Sequence, residues 1–149
     1  MTPGPPTDHT HPWGEAETAY EAVGGGAAVR ALADAFYDVV ERSAPTLRAM
    51  LPRDTAGSRQ KLYEFLSGWL GGPNLYWERR GHPRLRLRHM PFDIGTPEAH
   101  EWARCMDEAI GLVGIPEPAA SWLAGRLREV AIGLRNRPDP GVIVPSVSP

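Results

Sequence analysis

Apolar side chains recur with the 3.6-residue period of an α-helix in four separate stretches of this 149-residue chain. In the first stretch they follow the spacings i, i+3, i+4, i+7, i+10 and i+11, at Val29, Leu32, Ala33, Phe36, Val39 and Val40. This spacing lays one apolar stripe along a helix that must end before Pro45. The three glycines at positions 24–26 predict a hinge in front of it, because glycine is poorly tolerated inside a helix. The pattern restricts the chain to folds in which each helix buries one face.

Three further stretches show the same period and complete an all-helical pattern. Their apolar faces are Leu62, Phe65, Leu66, Trp69 and Leu70 in the second, Trp102, Met106, Ala109, Ile110 and Val113 in the third, and Leu123, Leu127, Val130, Ala131 and Leu134 in the fourth. We expect the second helix to begin at Ser58 and to stop at the Gly-Gly-Pro break of residues 71–73. A further start is predicted at Thr96, a cap residue followed by Pro97 and Glu98 in the first turn. The predicted fold class is therefore all-α.

The length of the chain and the distribution of proline predict one domain with peripheral ends. Eight of the 16 prolines lie in residues 1–12 and 138–149, where they exclude the interior of a helix or sheet. We expect a flexible N-terminal extension at residues 1–16, a domain at residues 17–137 and a flexible tail at residues 138–149. The first residues lack the basic start and apolar run of a signal peptide.

Charge and cysteine content argue against several classes of protein. The net charge of −2 argues against a general nucleic-acid binder. No apolar run approaches the ~18 residues needed to span a membrane. The single cysteine, Cys105, excludes an internal disulfide and fits a reducing compartment. We therefore expect a cytoplasmic protein with neither a nucleic-acid nor a membrane partner.

One segment, "GHPRLRLRHMPFDI" at residues 81–94, alternates between charged and apolar residues with the two-residue period of a strand. No second stretch alternates in this way, so a strand here would lack a partner for its backbone groups. Pro91 biases the residue before it away from the helical region, so any short helix that carries His89 must end almost at once. We expect a tight loop that leads into a very short helix, with Leu85 and Leu87 directed inward.

The surroundings of His89 favour a large, flat, anionic cofactor. The apolar Met90, Phe92 and Ile94 follow the histidine, and five arginines lie among the ten residues 79–88. Haem fits this pattern, because one axial histidine binds the iron, apolar helices cover the porphyrin and cations meet the propionates. The alternative interpretation of the same residues is a solvated basic connection that carries a structural histidine.

Four longer motifs span most of the chain: "YEAVGG", "FLSGWLGGP", "GHPRLRLRHMPFDI" and "WARCM". Together they resemble the truncated haemoglobins, specifically the second group, over residues from about Tyr20 to Pro138. The resemblance implies a truncated globin, a two-over-two helical sandwich around haem b. It also implies that His89 is the proximal ligand of the haem iron.

The resemblance implies roles for further residues. A distal ligand-binding group would consist of Tyr37, Trp102, Ser58, Leu62 and Leu51. Contacts with the haem would come from Lys61, Phe65, Tyr76, Arg88 and Phe92. Ser58 and Leu62 are four residues apart, which independently places them on one helix face. The chain departs from the family at the corner after the first helix, where an aromatic residue is usual and Met50 or Leu51 stands here.

The function implied by the resemblance is binding of dioxygen and other small ligands, such as nitric oxide and carbon monoxide, at pentacoordinate haem iron. Hydrogen bonds from Tyr37 and Trp102, worth about 1.5–3 kcal/mol each to a charged acceptor, predict slow ligand release. Slow release suits redox detoxification or ligand sensing better than transport. Nitric oxide dioxygenase-like or peroxidase-like turnover would require an external reductase. The alternative is a haem-free globin-like sensor or interaction domain, and the sequence is compatible with a monomer or a homodimer.

Overall fold

The computed structural model describes residues 10–139, which fold into eight helices and confirm the all-α prediction. In chain order the helices are α1 (Ala19–Val23), α2 (Gly25–Ser43), α3 (Pro45–Ala49), α4 (Ala56–Trp69), α5 (Leu75–Arg80), α6 (Leu85–His89), α7 (Thr96–Val113) and α8 (Ala119–Gly133). Within residues 10–139 the backbone forms no strand, and an isolated β-bridge joins His11 to Gly14. Over the same range, no helix has both the length and the apolar character required to cross a membrane.

The four long helices α2, α4, α7 and α8 build the core. Helix α2 packs against both α4 and α7, and α7 packs against α8. The helices therefore form two pairs, α2 with α4 and α7 with α8, which are joined through the contact between α2 and α7. This is the expected two-over-two arrangement, in which each helix buries an apolar stripe against its neighbours.

The apolar stripe predicted on α2 is confirmed, because all six of its residues are buried. Gly24 stands between α1 and α2 with φ at 119°, in the left-handed region that a side chain disfavours. The predicted glycine hinge is thus the turn at which α1 ends and α2 begins.

Helix α5 lies in a stretch that was expected to be irregular, so that expectation was wrong. It has six residues, too few for an apolar period to show in the sequence. Its stability comes from contacts with α4, where Arg79 and Arg80 both bind the carboxylate of Glu64. A helix that depends on such contacts is not recognisable from local sequence.

Helix α7 begins at Thr96 as predicted, but the capping residue is Gly95 and not Thr96. The carboxylate of Glu98 accepts a hydrogen bond of 2.7 Å from the Gly95 N–H. A Cβ atom at Gly95 would collide with the end of the Arg137 side chain, so a larger residue here would displace that guanidinium. The close approach of Arg137 from the far end of the chain has no signature in the sequence around Thr96.

Glu64 connects α4 to α5 through a buried ion pair. Its side chain is 1% exposed, and it accepts hydrogen bonds from Arg80 at 2.8 Å, Arg79 at 3.0 Å and Gln60 at 2.8 Å. Burial alone would raise the pKa of Glu64, but the hydrogen bonds from Arg80, Gln60 and Arg79 outweigh it and lower the pKa from 4.5 to about 2. The carboxylate therefore remains charged at neutral pH and fixes α5 against α4.

Residues 10–16, the described part of the N-terminal extension, lie against the helical domain. The Trp13 ring contacts the Trp122 ring of α8 edge-on, with centroids 5.1 Å apart, and its indole N–H donates to the Ala16 carbonyl. The predicted boundaries at residues 16 and 137 stay predictions, and residues 1–9 and 140–149 lie outside the described residues.

The substitution Glu64→Gln should destabilise the protein at neutral pH by about 1–3 kcal/mol, because the two arginines lose their charged partner. Since the pKa of Glu64 is lowered from 4.5 to about 2 by folding, its contribution is present above about pH 4.5 and is lost as the pH falls toward 2. The difference between wild type and variant should therefore shrink over this range. Urea unfolding at a series of pH values measures it, with Glu78→Gln, an exposed acid of α5, as the control. A difference that stays constant down to pH 2 would contradict the assignment.

Candidate functional site

His89 is the last residue of α6, and one of its two ring nitrogens contacts the helix backbone. Its Nδ1 atom lies 2.6 Å from the carbonyl oxygen of Leu85, one helical turn earlier. When Nδ1–H donates to this carbonyl, the proton is held there and the lone pair of Nε2 is free. This is the tautomer that a ring needs in order to bind a metal through Nε2.

Helix α6 places Leu85 and His89 on one face and Leu87 on the other. Leu87 is 58% exposed, so the expectation that it points inward was wrong. The cause is the helical period, since residues two apart point in nearly opposite directions on a helix and the alternation does not describe a strand. Leu85 is half-buried, in agreement with an inward direction.

The segment after His89 is held by Asn136, which follows α8. The Asn136 side-chain amide donates to the carbonyl oxygens of His89 at 3.2 Å and Phe92 at 2.8 Å. Its oxygen accepts from the Ile94 N–H at 2.9 Å, and its own backbone N–H donates to the Ile94 carbonyl. Asn136 therefore binds backbone groups of His89, Phe92 and Ile94, at the end of α6 and just beyond it. Sequence reasoning missed this residue, because nothing in the local pattern joins positions 47 residues apart.

Tyr37 and Trp102 meet around a shared neighbour, the buried ring of Phe36. The centroid of Phe36 lies 5.1 Å from that of Tyr37 on α2 and 5.0 Å from that of Trp102 on α7. Within residues 10–139, neither the Tyr37 hydroxyl nor the Trp102 indole N–H makes a hydrogen bond, and no fully buried side-chain polar atom lacks a partner. Both donors thus keep access to open space, where they can serve a ligand.

Arg59 lies beside Tyr37 and fixes α4 to α2. Its guanidinium pairs with Asp38 at 2.8 Å and Glu41 at 3.2 Å and donates to the Asp34 carbonyl at 3.0 Å. It also sits 5.9 Å from the centroid of the Tyr37 ring. Burial raises the pKa of Tyr37 to about 12 and Arg59 lowers it only in part, so the hydroxyl stays a proton donor at neutral pH. Sequence reasoning missed Arg59 too, because the sequence does not show which acidic residues of another helix an arginine will pair with.

A second group of side chains surrounds Tyr76 on α5, which is 6% exposed. The Phe65 ring lies edge-on to it at 6.4 Å, and the guanidinium of Arg88 lies 5.9 Å from its centroid. Among the described residues, neither Arg88 nor the exposed Lys61 forms an ion pair with an acid. Both cations are therefore available to an anionic partner.

The remaining predicted residues lie on α4 and in the loops after α3 and α6. Phe92 is next to His89, with ring centroids 6.4 Å apart. Leu62 and Leu51 pack against the core while half-buried, and Ser58 is half-buried on α4. At the corner, Leu51 and not Met50 is the residue that joins the core.

These residues fit a haem group. The Nδ1–H of His89 is committed to Leu85, which leaves Nε2 for an iron atom. Tyr37 and Trp102 supply two free donors, and Lys61 and Arg88 supply two cations that no acid neutralises among the described residues. The donor set matches the separate needs of iron, a polar ligand and the propionates.

Two substitutions of Asn136 distinguish the hydrogen bonds that its side chain donates from the one that it accepts. Asn136→Ala removes all of its side-chain bonds and should cost about 1–2 kcal/mol, because these partly exposed bonds are each worth about 1 kcal/mol or less. Asn136→Asp keeps an acceptor for the Ile94 N–H but loses both donated bonds. Hydrogen exchange by NMR should show the Ile94 amide less protected in the alanine variant than in the aspartate variant. Equal protection in the wild type and both variants would show that the segment does not depend on Asn136.

Tyr37 should titrate apart from the other tyrosines. Because burial raises its pKa from 10.0 to about 12, the folded state holds this proton more tightly than the unfolded state does. The resulting stability is complete below pH 10 and is lost as the pH rises toward 12. An ultraviolet titration of tyrosinate should show a late step that Tyr37→Phe removes and that Tyr63→Phe leaves in place. A late step that survives Tyr37→Phe would show that another tyrosine is the shielded one.

The bacterial-like globin family matches residues 18–136 of the chain. The chain is 39% identical over 120 residues to the group 2 truncated haemoglobin YjbI of Bacillus subtilis, which covers 80% of this chain and 89% of the relative. The structure resembles the group II two-on-two haemoglobin of Agrobacterium tumefaciens, with a TM-score of 0.76, 38% identity, and 82% and 96% of the two chains covered.

A further structural relative is the truncated oxygen-avid haemoglobin from Bacillus subtilis, with a TM-score of 0.75 and 39% identity. The match covers 80% of this chain and all of the relative. Sequence and fold thus agree over the domain that contains His89, Tyr37 and Trp102, and the chain belongs to the group II truncated haemoglobins.

Proposed function

We propose that the protein binds haem b through His89 and holds a diatomic ligand, with dioxygen as the first candidate, on the opposite side of the haem. The hydrogen bond from His89 Nδ1 to the Leu85 carbonyl carries the proposal, because it prepares Nε2 for iron without any rearrangement. The haemoglobin from Bacillus subtilis that shares this fold is described as oxygen-avid, which supports dioxygen as the ligand.

When bound, haem supplies an iron atom with an open coordination position and accessible redox states. The protein supplies the groups around it. Tyr37 and Trp102 would donate hydrogen bonds to the outer atom of a polar ligand, since both donors are free of protein partners within residues 10–139. Arg59 keeps α4 and the Tyr37 ring in place through its contacts with Asp38 and Glu41.

The haem would be retained by apolar packing and by paired charges at its edge. Leu62, Phe65 and Phe92 provide apolar surface, and the first two are half-buried on the inner face of α4. Lys61 and Arg88 would bind the propionates, and the Tyr76 ring lies 5.9 Å from the Arg88 guanidinium. Ser58, at one turn before Leu62, would face the ligand from α4.

At the corner after α2 the chain has Leu51 and not an aromatic residue with a hydroxyl group. The ligand side of the proposed haem site is therefore less polar there. Leu51 occupies the core there, so a third donor to the ligand is missing from this position. Tyr37 and Trp102 then carry the polar contacts with the ligand. We infer that turnover chemistry, either nitric oxide oxidation or peroxide reduction, draws electrons from an external donor.

An optical spectrum of the reconstituted protein tests haem binding. Reduced protein should give a Soret band that shifts when carbon monoxide is added, and His89→Gly should lose the five-coordinate histidine-bound form because no ligand replaces the imidazole. His82→Gly is the matched control, since His82 uses its Nδ1 to accept the Arg84 backbone N–H. Absence of a Soret band after reconstitution would favour the haem-free sensor or interaction domain, and a normal five-coordinate spectrum in His89→Gly would remove His89 as the ligand.

The distal donors are tested by ligand release. Tyr37→Phe and Trp102→Phe should each speed dioxygen release roughly 10- to 150-fold, which corresponds to the loss of about 1.5–3 kcal/mol in one hydrogen bond. Stopped-flow mixing of the oxygenated protein with carbon monoxide measures the rate, and Tyr63→Phe, at a ring that lies 5.4 Å from the Arg30 guanidinium, serves as the control. Unchanged release rates in both variants would remove Tyr37 and Trp102 from the ligand site.

A further inference from the structure

Aromatic rings form a continuous series that runs from the N-terminal segment to α5. The rings, in contact order, are Trp13, Trp122, Trp69 and Phe65, and Phe65 then contacts both Tyr76 and Trp77. Successive centroids lie 5.1, 6.3 and 6.3 Å apart, and the last contacts are 6.4 Å to Tyr76 and 5.8 Å to Trp77. The series includes four of the five tryptophans in the chain.

The two ends of the series lie in different environments. At the outer end Trp13 is half-buried and the exposed His11 ring stacks on it at 4.7 Å. At the inner end Tyr76 is 6% exposed and lies beside Arg88. The series therefore joins the protein surface to the edge of the proposed haem site.

Packing alone accounts for the individual contacts but not for their choice of side chain. An aromatic pair contributes about 0.5–1.5 kcal/mol beyond its buried area, and phenylalanine rings form such pairs too. Tryptophan and tyrosine differ from phenylalanine because they lose one electron far more readily. In the middle of the series the rings are also nearly parallel, at 24° between Trp69 and Trp122 and 22° between Phe65 and Trp69.

We propose that this aromatic series carries single electrons from Trp13 at the surface to Tyr76 and Trp77 at the edge of the haem site, an inference that rests on the proposed function. Reduction of hydrogen peroxide to two water molecules consumes two electrons and two protons. Tyr76 or Trp77 gives up each electron. A second electron then reaches the oxidised residue through Trp69 and Trp122, and a one-electron reductant from outside replaces that electron at Trp13. Phe65 is not oxidised and bridges its neighbours, and the two protons come from solvent.

Pulse radiolysis of the full chain before haem loading tests the series without relying on haem. Azide radicals take one electron from an accessible tryptophan, which releases its indole proton and becomes a neutral radical. That radical should then take an electron and a proton from a tyrosine through the same ring contacts, with the electron moving outward along the series instead of inward. The tryptophan radical absorption should therefore decay while the tyrosyl absorption grows at a rate independent of protein concentration. Tyr76→Phe should abolish most of this growth, and Tyr63→Phe, outside the series, should leave it unchanged.

Interrupting the middle of the series locates the path. Trp69→Phe keeps an aromatic ring but removes the oxidisable group, so the tyrosyl yield should fall by the share that Trp13, Trp122 and Trp69 supply. Trp122→Phe should remove only the share of Trp13 and Trp122, and it replaces Trp69→Phe if thermal unfolding shows that the latter is not folded. Tyrosyl yields equal to wild type in the folded variants would overturn the proposal and leave the series a packing feature.

Haem-loaded protein gives a second readout that separates this proposal from the proposed function. After hydrogen peroxide is added to the ferric protein with a spin trap, mass spectrometry should find adducts on Trp13 or Trp122, and Trp69→Phe should lose them. Adducts that persist on these outer residues in Trp69→Phe would overturn the series. If haem does not bind, the proposed function fails, and the radiolysis result still decides whether the series conducts.

Discussion

The hydrogen bond between His89 Nδ1 and the Leu85 carbonyl is the interaction on which the proposed haem binding depends. At 2.6 Å it closes one turn of α6, so the conformation of the backbone determines which ring nitrogen carries the proton. A five-residue helix is not stable alone, since helix formation has a costly nucleus. The end of α8 and the segment after it supply the missing support, through the Gly133 carbonyl, which accepts from Arg86 at 3.0 Å, and through Asn136. The far end of the chain thus controls the candidate iron ligand.

Partly buried arginine–acid groups position the opposite side of the site. Arg59 joins α4 to α2 through Asp38 and Glu41, and Glu64 joins the next turns of α4 to α5 through Arg79 and Arg80. Such pairs lose much of their value if one partner is removed, because the other charge is left without compensation. The two groups therefore hold α4 at a fixed place between α2 and α5, where its inner face meets the side chains proposed to cover the haem. Their polar contacts complement the apolar contact of α2 with α7.

The sequence predicts the long helices well and the short ones poorly, for a physical reason. The apolar stripe of α2 shows in the sequence because a long helix repeats its buried face several times. Helix α5 and the exposed Leu87 were predicted wrongly, since six or fewer residues do not display a helical period and alternation within α6 imitates a strand. His89 could be selected from its local proline and arginine context. Asn136 and Arg59 could not, because their importance comes from partners that only the folded chain brings near.

Resonance Raman spectroscopy of the ferrous, ligand-free protein tests the central claim most directly, because it detects the bond between iron and the axial imidazole. The account predicts a single iron–histidine stretching band that shifts when histidine is labelled with heavy nitrogen and disappears in His89→Gly. It also predicts that Asn136→Ala moves or broadens the band, since the segment that holds α6 is then released. An iron–histidine band that persists unchanged in His89→Gly would contradict the account.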